Sequence, residues 1–138
     1  MIDLPFEYMN KFASQTQFIS ALLCGFSLTV LVLLFDQEHT DKFNVNIFRF
    51  SILATGAFLV SIFAMTNIFL MTTVGFPLPV ESKDLVVPNI LGGVSFLIGI
   101  ISMVIIISLL GWTKSKTLGL FSTVVGLITL LLIILMIT

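Results

Sequence analysis

Charge is scarce in this 138-residue chain: only 9% of its residues are Asp, Glu, Lys or Arg, and they sum to a net charge of −1. Such a balance excludes the basic footprint on which nucleic-acid binding depends. Cysteine is reduced to Cys24, so no intrachain disulfide can form, and a small packing residue is the natural reading of a thiol in an apolar run. Histidine is reduced to His39, set among acids in a polar segment, where solvation is the simplest reading. No H-E-x-x-H spacing, no glycine-rich phosphate loop and no pair of carboxylates within an apolar stretch occurs. Ionisable groups at mid-membrane, the mark of a proton or ion relay, are missing as well. An enzyme would have nothing here to carry its chemistry, and neither cofactor nor metal is expected.

Apolar residues fill the space instead, at 58% of the chain and a mean hydropathy of +1.21. They gather into four stretches, 13–35, 47–74, 88–111 and 118–138, none with an acidic residue and only Arg49 basic. Each reaches the roughly 20 residues that an α-helix needs to cross a hydrocarbon core. Lipid offers the backbone no hydrogen-bond partners, so such stretches must become helices or a closed barrel. Barrel strands alternate polar and apolar residues, and the run from Leu130 to Leu135 does not alternate. The expected fold is an all-α integral membrane protein with four transmembrane helices, a multi-pass protein of the cell membrane. What remains is too short for a soluble core, which takes about 40–60 residues, so 1–138 reads as a single domain.

The polar segments set the order of the helices. Residues 1–12 read as a polar arm at the membrane surface; Asp3 and Glu7 beside Lys11 are unlike a basic signal-peptide n-region, so the first helix is expected to remain in the mature protein. The second connection, 75–87, holds Pro77 and Pro79, which forbid a continuous helix. The third, around Lys114 and Lys116, is so short that the last two helices must be antiparallel neighbours, with Trp112 as an interfacial anchor. Close packing in lipid favours small residues, which points to Ala21 and Gly25, Ala57 and Ser61, Gly92, Ser95, Gly99 and Ser102, and Gly119, Ser122, Gly126 and Thr129 as contact faces. Asn67, the most polar side chain in a span, reads as an interhelical hydrogen bond.

The first connection carries Asp36, Gln37, Glu38 and Asp41. In one subunit this is a solvated turn; around an axis shared by several copies it becomes a cation-attracting vestibule. Basic residues divide four to two between the faces, Lys42, Arg49, Lys114 and Lys116 against Lys11 and Lys83, a count that favours an external N-terminus.

The heptapeptide Ser20-Ala21-Leu22-Leu23-Cys24-Gly25-Phe26 resembles the pore-helix motif Ser-Ala-Leu-Leu-Ser-Gly-Phe of the Orai calcium channels. Phe50, Ser51, Thr55, Val60, Phe63 and Ala64 match that family's second helix without a gap from Gly25. Ser95, Ile98, Gly99, Leu109, Leu110, Trp112 and Lys114 match its third, and the likeness covers residues 13–64 and 94–114. The resemblance implies a hexamer of this chain with the first helix of every subunit lining the axis, a cytoplasmic N-terminus, and inorganic cations as the permeant species. It places Leu22, Gly25, Phe26, Thr29 and Leu33 along the pore and Asp36, Gln37, Glu38 and Asp41 at its mouth. The topology follows the resemblance rather than the charge count, which puts the first and third connections outside.

The departures are specific. The family's filter glutamate falls on Leu33, and its basic inner-pore residues fall on Phe18, Ser14 and Asn10. The chain ends at Thr138 without the extension by which family members engage the stromal interaction molecule, so activation by that partner is not expected. The expected function is a homo-oligomeric, Orai-like cation channel without a filter carboxylate. The alternative is a non-conducting membrane subunit or scaffold of a larger complex.

Overall fold

The structure, a computed structural model, describes residues 5–35 and 42–138. Its elements are α1 (Phe6–Phe35), α2 (Lys42–Thr72), a 3₁₀ turn (Ser82–Leu85), α3 (Val86–Lys114) and α4 (Lys116–Ile137). All four α-helices are long and apolar enough to cross a membrane.

All four helices begin ahead of the apolar stretches that predict them. α1 begins at Phe6, so most of the arm expected at 1–12 is helix. The carbonyl of Pro5 accepts from the N–H groups of Tyr8 (2.8 Å) and Met9 (3.2 Å), which starts the first turn. Glu7 there suits the positive end of the helix and pairs with Lys11 one turn on, at 3.3 Å. At 30 residues α1 is about 45 Å long, more than the hydrocarbon thickness, so its polar first turns stand clear of the core.

α2 stops at Thr72, and the chain turns through Gly75, whose φ of +97° lies in the left-handed region that only glycine enters freely. Asp84 then accepts from the Glu81 N–H at 3.0 Å and fastens the 3₁₀ turn ahead of α3. Pro88 falls in the first turn of α3, where its missing N–H leaves no helical bond unmade. One extended residue, Ser115, links α3 to α4; its hydroxyl accepts from the Leu118 N–H at 3.2 Å and caps the second helix.

The helices pack in chain order: α1 on α2, α2 on α3, α3 on α4, with no comparable packing of α4 on α1 or α2 among the described residues. α1 and α4 are therefore the edges of a row. The main core lies where α1, α2 and α3 meet, around Cys24, Leu34, Ile47, Ala54, Phe58 and Ile106.

Glycines set the closest approaches. A Cβ on Gly99 would strike the Phe58 ring, and one on Gly119 would strike the indole of Trp112. The small-residue faces expected on α3 and α4 are the observed contacts at Gly92, Gly99, Ser102, Gly119 and Gly126, whereas Thr129 is exposed. On α1 the contacts within the subunit lie elsewhere. Ala21 and Gly25 are exposed, and the helix meets α2 through Ala13, Thr16, Ser20, Cys24 and Ser27.

Candidate functional site

The two long faces of α1 differ in chemistry. The one against α2 is small and hydroxyl-rich, and so is its counterpart. Ser20 and Ser61 share a hydrogen bond of 3.2 Å between their Oγ atoms, and Ser27 Oγ lies 2.8 Å from Thr55 Oγ1; Ser20, Ser27 and Ser61 are fully buried. Ser27 also reaches the Cys24 carbonyl (2.9 Å) and Thr55 the Ser51 carbonyl (2.8 Å). Each hydroxyl has one proton, so whichever donates across the seam releases the carbonyl of its own turn, and no group is orphaned either way. Lower down, the Asn10 amide donates to the Phe69 carbonyl (3.1 Å) and to Thr72 Oγ1 (3.0 Å), tying the start of α1 to the end of α2. These bonds fix the rotation of α1 about its own axis.

That rotation decides what the opposite face presents. Leu22, Gly25, Phe26, Thr29 and Leu33 recur at three- and four-residue steps, so they share one side of the helix. All five are exposed, on the side turned away from the seam. Leu22 is 51% exposed, Phe26 62% and Leu33 66%. Nothing lies within 4 Å of where a Gly25 Cβ would stand. Thr29 satisfies its hydroxyl within its own helix by donating to the Gly25 carbonyl at 2.9 Å, so it presents an oxygen lone pair outward. Toward the N-terminus the same side continues through Phe18, Gln15, Ser14 and Lys11, all exposed. Asn10 does not belong to it, because it is held on α2. The face thus grades from polar near Lys11 to apolar at Leu33.

The residues expected at the mouth, Asp36, Gln37, Glu38 and Asp41, lie outside the described residues, as does His39. Asn67 makes no interhelical bond among the described residues of this subunit; it is exposed on a shallow groove between α2 and α3, beside Phe63, Val87 and Leu91. Trp112, expected as an interfacial anchor, also acts as a clasp. Its indole N–H donates to Thr123 Oγ1 at 3.0 Å, and its ring stacks on Phe43 at 6.5 Å. Sequence reasoning missed the hydroxyl seam, although Thr16, Ser20, Cys24 and Ser27 stand at the steps that mark one helix face.

No protein-family model, no curated protein and no solved structure matches this chain.

Proposed function

We propose that this chain is the subunit of a homo-oligomeric cation channel in which the free face of α1 lines the axis, with an Orai-like hexamer as the assembly. One observation carries the reading: α1 sits at an edge of the helix row and turns outward a face with Lys11, Ser14, Gln15, an uncovered Gly25 and Thr29. Lys11 and the polar turns beside it stand at the membrane surface in any assembly; within the span, a bare Gly25 and a threonine on one uncovered face suit close approach of further copies better than lipid tails. Repeated about an axis, Leu33 and Phe26 form apolar constrictions, and a Leu33 ring closes by dewetting. Cations pass only when water enters, so the native protein conducts weakly and prefers calcium little.

A second reading, a non-conducting subunit or scaffold, draws on Leu33 and on the lack of any charged residue between Lys11 and Phe35 on α1. Purified protein in liposomes separates the two. The channel reading expects cation flux above that of empty liposomes, an increase in that flux on Leu33→Glu with folded yield preserved, and a ring with α1 innermost. Flux equal to empty liposomes for both proteins, or stable capture in a larger complex without self-association, overturns it.

A further inference from the structure

The free face of α1 offers a passing ion one polar group in the middle of the span. Between Phe18 and Phe35, Ser20, Cys24 and Ser27 are buried at the seam, which leaves Thr29 as the exposed hydroxyl of the helix. Its proton is committed. Oγ1 donates to the Gly25 carbonyl at 2.9 Å, so from outside the helix the oxygen can only accept, through its lone pairs.

The neighbours of Thr29 on this face are apolar. Leu33 stands four residues above it, about 6 Å along the helix, and Phe26 three residues below, about 4.5 Å. Gly25, one turn below, brings no side chain and has nothing within 4 Å of its Cβ position, so the hydroxyl is uncovered on that side. α1 carries no charged residue beyond Lys11, and Lys11 is itself paired with Glu7 at 3.3 Å. At the level of Thr29 the helix therefore supplies oxygen dipoles and no fixed charge. The acids of the first connection begin at Asp36, seven residues further along the chain.

We propose that a ring of Thr29 hydroxyls, resting on the reading of α1 as the axial helix, selects weakly hydrated monovalent cations, potassium, rubidium and caesium, over sodium. An ion passes Phe26 and Leu33 only by giving up part of its water, because apolar rings return nothing for it. The cost of leaving water falls as the ionic radius grows. Neutral hydroxyl oxygens make good part of that loss. Their field is weaker than that of the carboxylates that hold small or divalent cations, so they suffice for a large ion before they suffice for sodium. The acids that follow Phe35 attract all monovalent cations alike; they raise throughput without ranking one against another.

The test is uptake of radioactive rubidium and sodium by liposomes carrying the purified full chain, each set against empty liposomes. Rubidium uptake is expected to exceed sodium uptake by roughly three-fold or more. Thr29→Val keeps the shape and removes the oxygen, and is expected to lower rubidium uptake about ten-fold, whereas Thr29→Ser keeps the hydroxyl and the ranking. Thr29→Glu strengthens the field and is expected to reverse the ranking in favour of sodium. Thr129→Val on α4, where the hydroxyl donates to the Val125 carbonyl in the same manner (2.8 Å), leaves uptake unchanged. Asp36→Asn combined with Glu38→Gln and Asp41→Asn lowers uptake of both ions and leaves their ratio intact. Sodium uptake equal to or faster than rubidium uptake in the native protein overturns the proposal and leaves the channel reading standing. So does rubidium uptake that survives Thr29→Val, or a ranking indifferent to Thr29→Glu. Loss of the ranking on neutralising the three acids would move selection to the first connection. Uptake of neither ion above empty liposomes overturns the axial placement of α1 and this site with it.

Discussion

α1 and α4 hold the two edges of the helix row, and both leave most of their surface uncovered, yet with different residues. Past the exposed Lys116 and Thr117 of its first turn, the free surface of α4 is Leu118, Leu120, Phe121, Val124, Leu127, Ile128, Leu131, Leu132 and Leu135, interrupted by Thr129, whose hydroxyl donates to the Val125 carbonyl (2.8 Å) much as Thr29 on α1 donates to the Gly25 carbonyl (2.9 Å). The free surface of α1 mixes large apolar groups with Lys11, Ser14, Gln15, Gly25 and Thr29. Their covered faces differ as well. α4 buries only Gly119 and Gly126, while α1 buries Ala13, Thr16, Ser20, Cys24, Ser27 and Leu34. An exterior that is apolar through the span but for one internally bonded threonine is complete once lipid surrounds it. An exterior with polar groups and an idle glycine is incomplete until protein or water does. The proposed assembly, with α4 toward lipid and α1 toward its interior, draws on this contrast.

The sharpest way to break that assignment is to place a carboxylate on each edge at matched depth. Phe121 and Thr29 lie a similar distance in from the end that α1 and α4 share, at Lys116 and Phe35. On α4, Phe121→Glu puts a charge against lipid, at a cost of about 2 kcal/mol, roughly thirty-fold in the insertion equilibrium. In the proposed ring, Thr29→Glu on α1 faces the axis, where water hydrates it and mutual repulsion of the ring is relieved by partial protonation. Membrane-inserted yield, measured as monodisperse protein after extraction, is expected to collapse for Phe121→Glu and to stay near native for Thr29→Glu. Equal losses at both positions would return α1 to the lipid.

The glycines give the next largest effect, with opposite signs on the two edges. Gly119 has no room: an added methyl meets the Trp112 ring, and overpacking of this kind costs about 1–3 kcal/mol. Gly25 has open space within the subunit, and replacing a helical glycine by alanine there gains up to about 1 kcal/mol of helix propensity. Gly119→Ala should lower the melting temperature in detergent, whereas Gly25→Ala should raise it for dispersed subunits. If copies approach one another at Gly25, the same alanine weakens the oligomer, read as a shift toward smaller species on size-exclusion chromatography. A Gly25→Ala protein that is more stable and equally oligomeric would mean that no neighbour touches this face.

These contrasts also explain what the sequence could reveal. The four spans were legible because length and composition alone determine them, and the Gly92, Gly99, Gly119 and Gly126 contacts because close approach in lipid admits little else. The seam on α1 was not legible by size. Small residues stand on both of its faces, Ala21 and Gly25 on one and Ser20, Cys24 and Ser27 on the other, so size cannot choose between them. What chooses is the partner: Thr55 and Ser61 of α2 offer hydroxyls, and only the second set can bond to them. The first turns of α1 were misread for a related reason. Glu7, Asn10 and Lys11 look like a solvated arm, but Glu7 and Lys11 pair along a helix and Asn10 is held by α2. The candidate face of α1 followed from helical spacing once the resemblance had supplied a register. Which way it points needed the seam.

The smallest effects separate the two means of attachment. Ser27→Ala removes the hydroxyl bond to Thr55 (2.8 Å), and Thr55 keeps the Ser51 carbonyl (2.8 Å) as its acceptor, so nothing buried is orphaned. Ser122→Ala on α4 removes the bond to the Ser108 carbonyl (3.0 Å), a group that can still accept within α3. Interhelical side-chain bonds in membrane proteins average about 0.6 kcal/mol, and each substitution is expected to cost about that much in thermal or denaturant unfolding in detergent. The two should nevertheless differ in consequence. α4 stays clasped by Trp112 on Thr123 and by its glycine contacts, so Ser122→Ala leaves any flux unchanged. α1 depends on its hydroxyls for rotational register, so Ser27→Ala combined with Ser20→Ala lets the helix turn and changes what faces the axis. Altered flux from that pair, at a stability loss little above 1 kcal/mol, is the expected result. Unaltered flux would mean that apolar contacts such as Ala13, Cys24 and Leu34 hold the register unaided, and that the hydroxyl seam follows the fold rather than setting it.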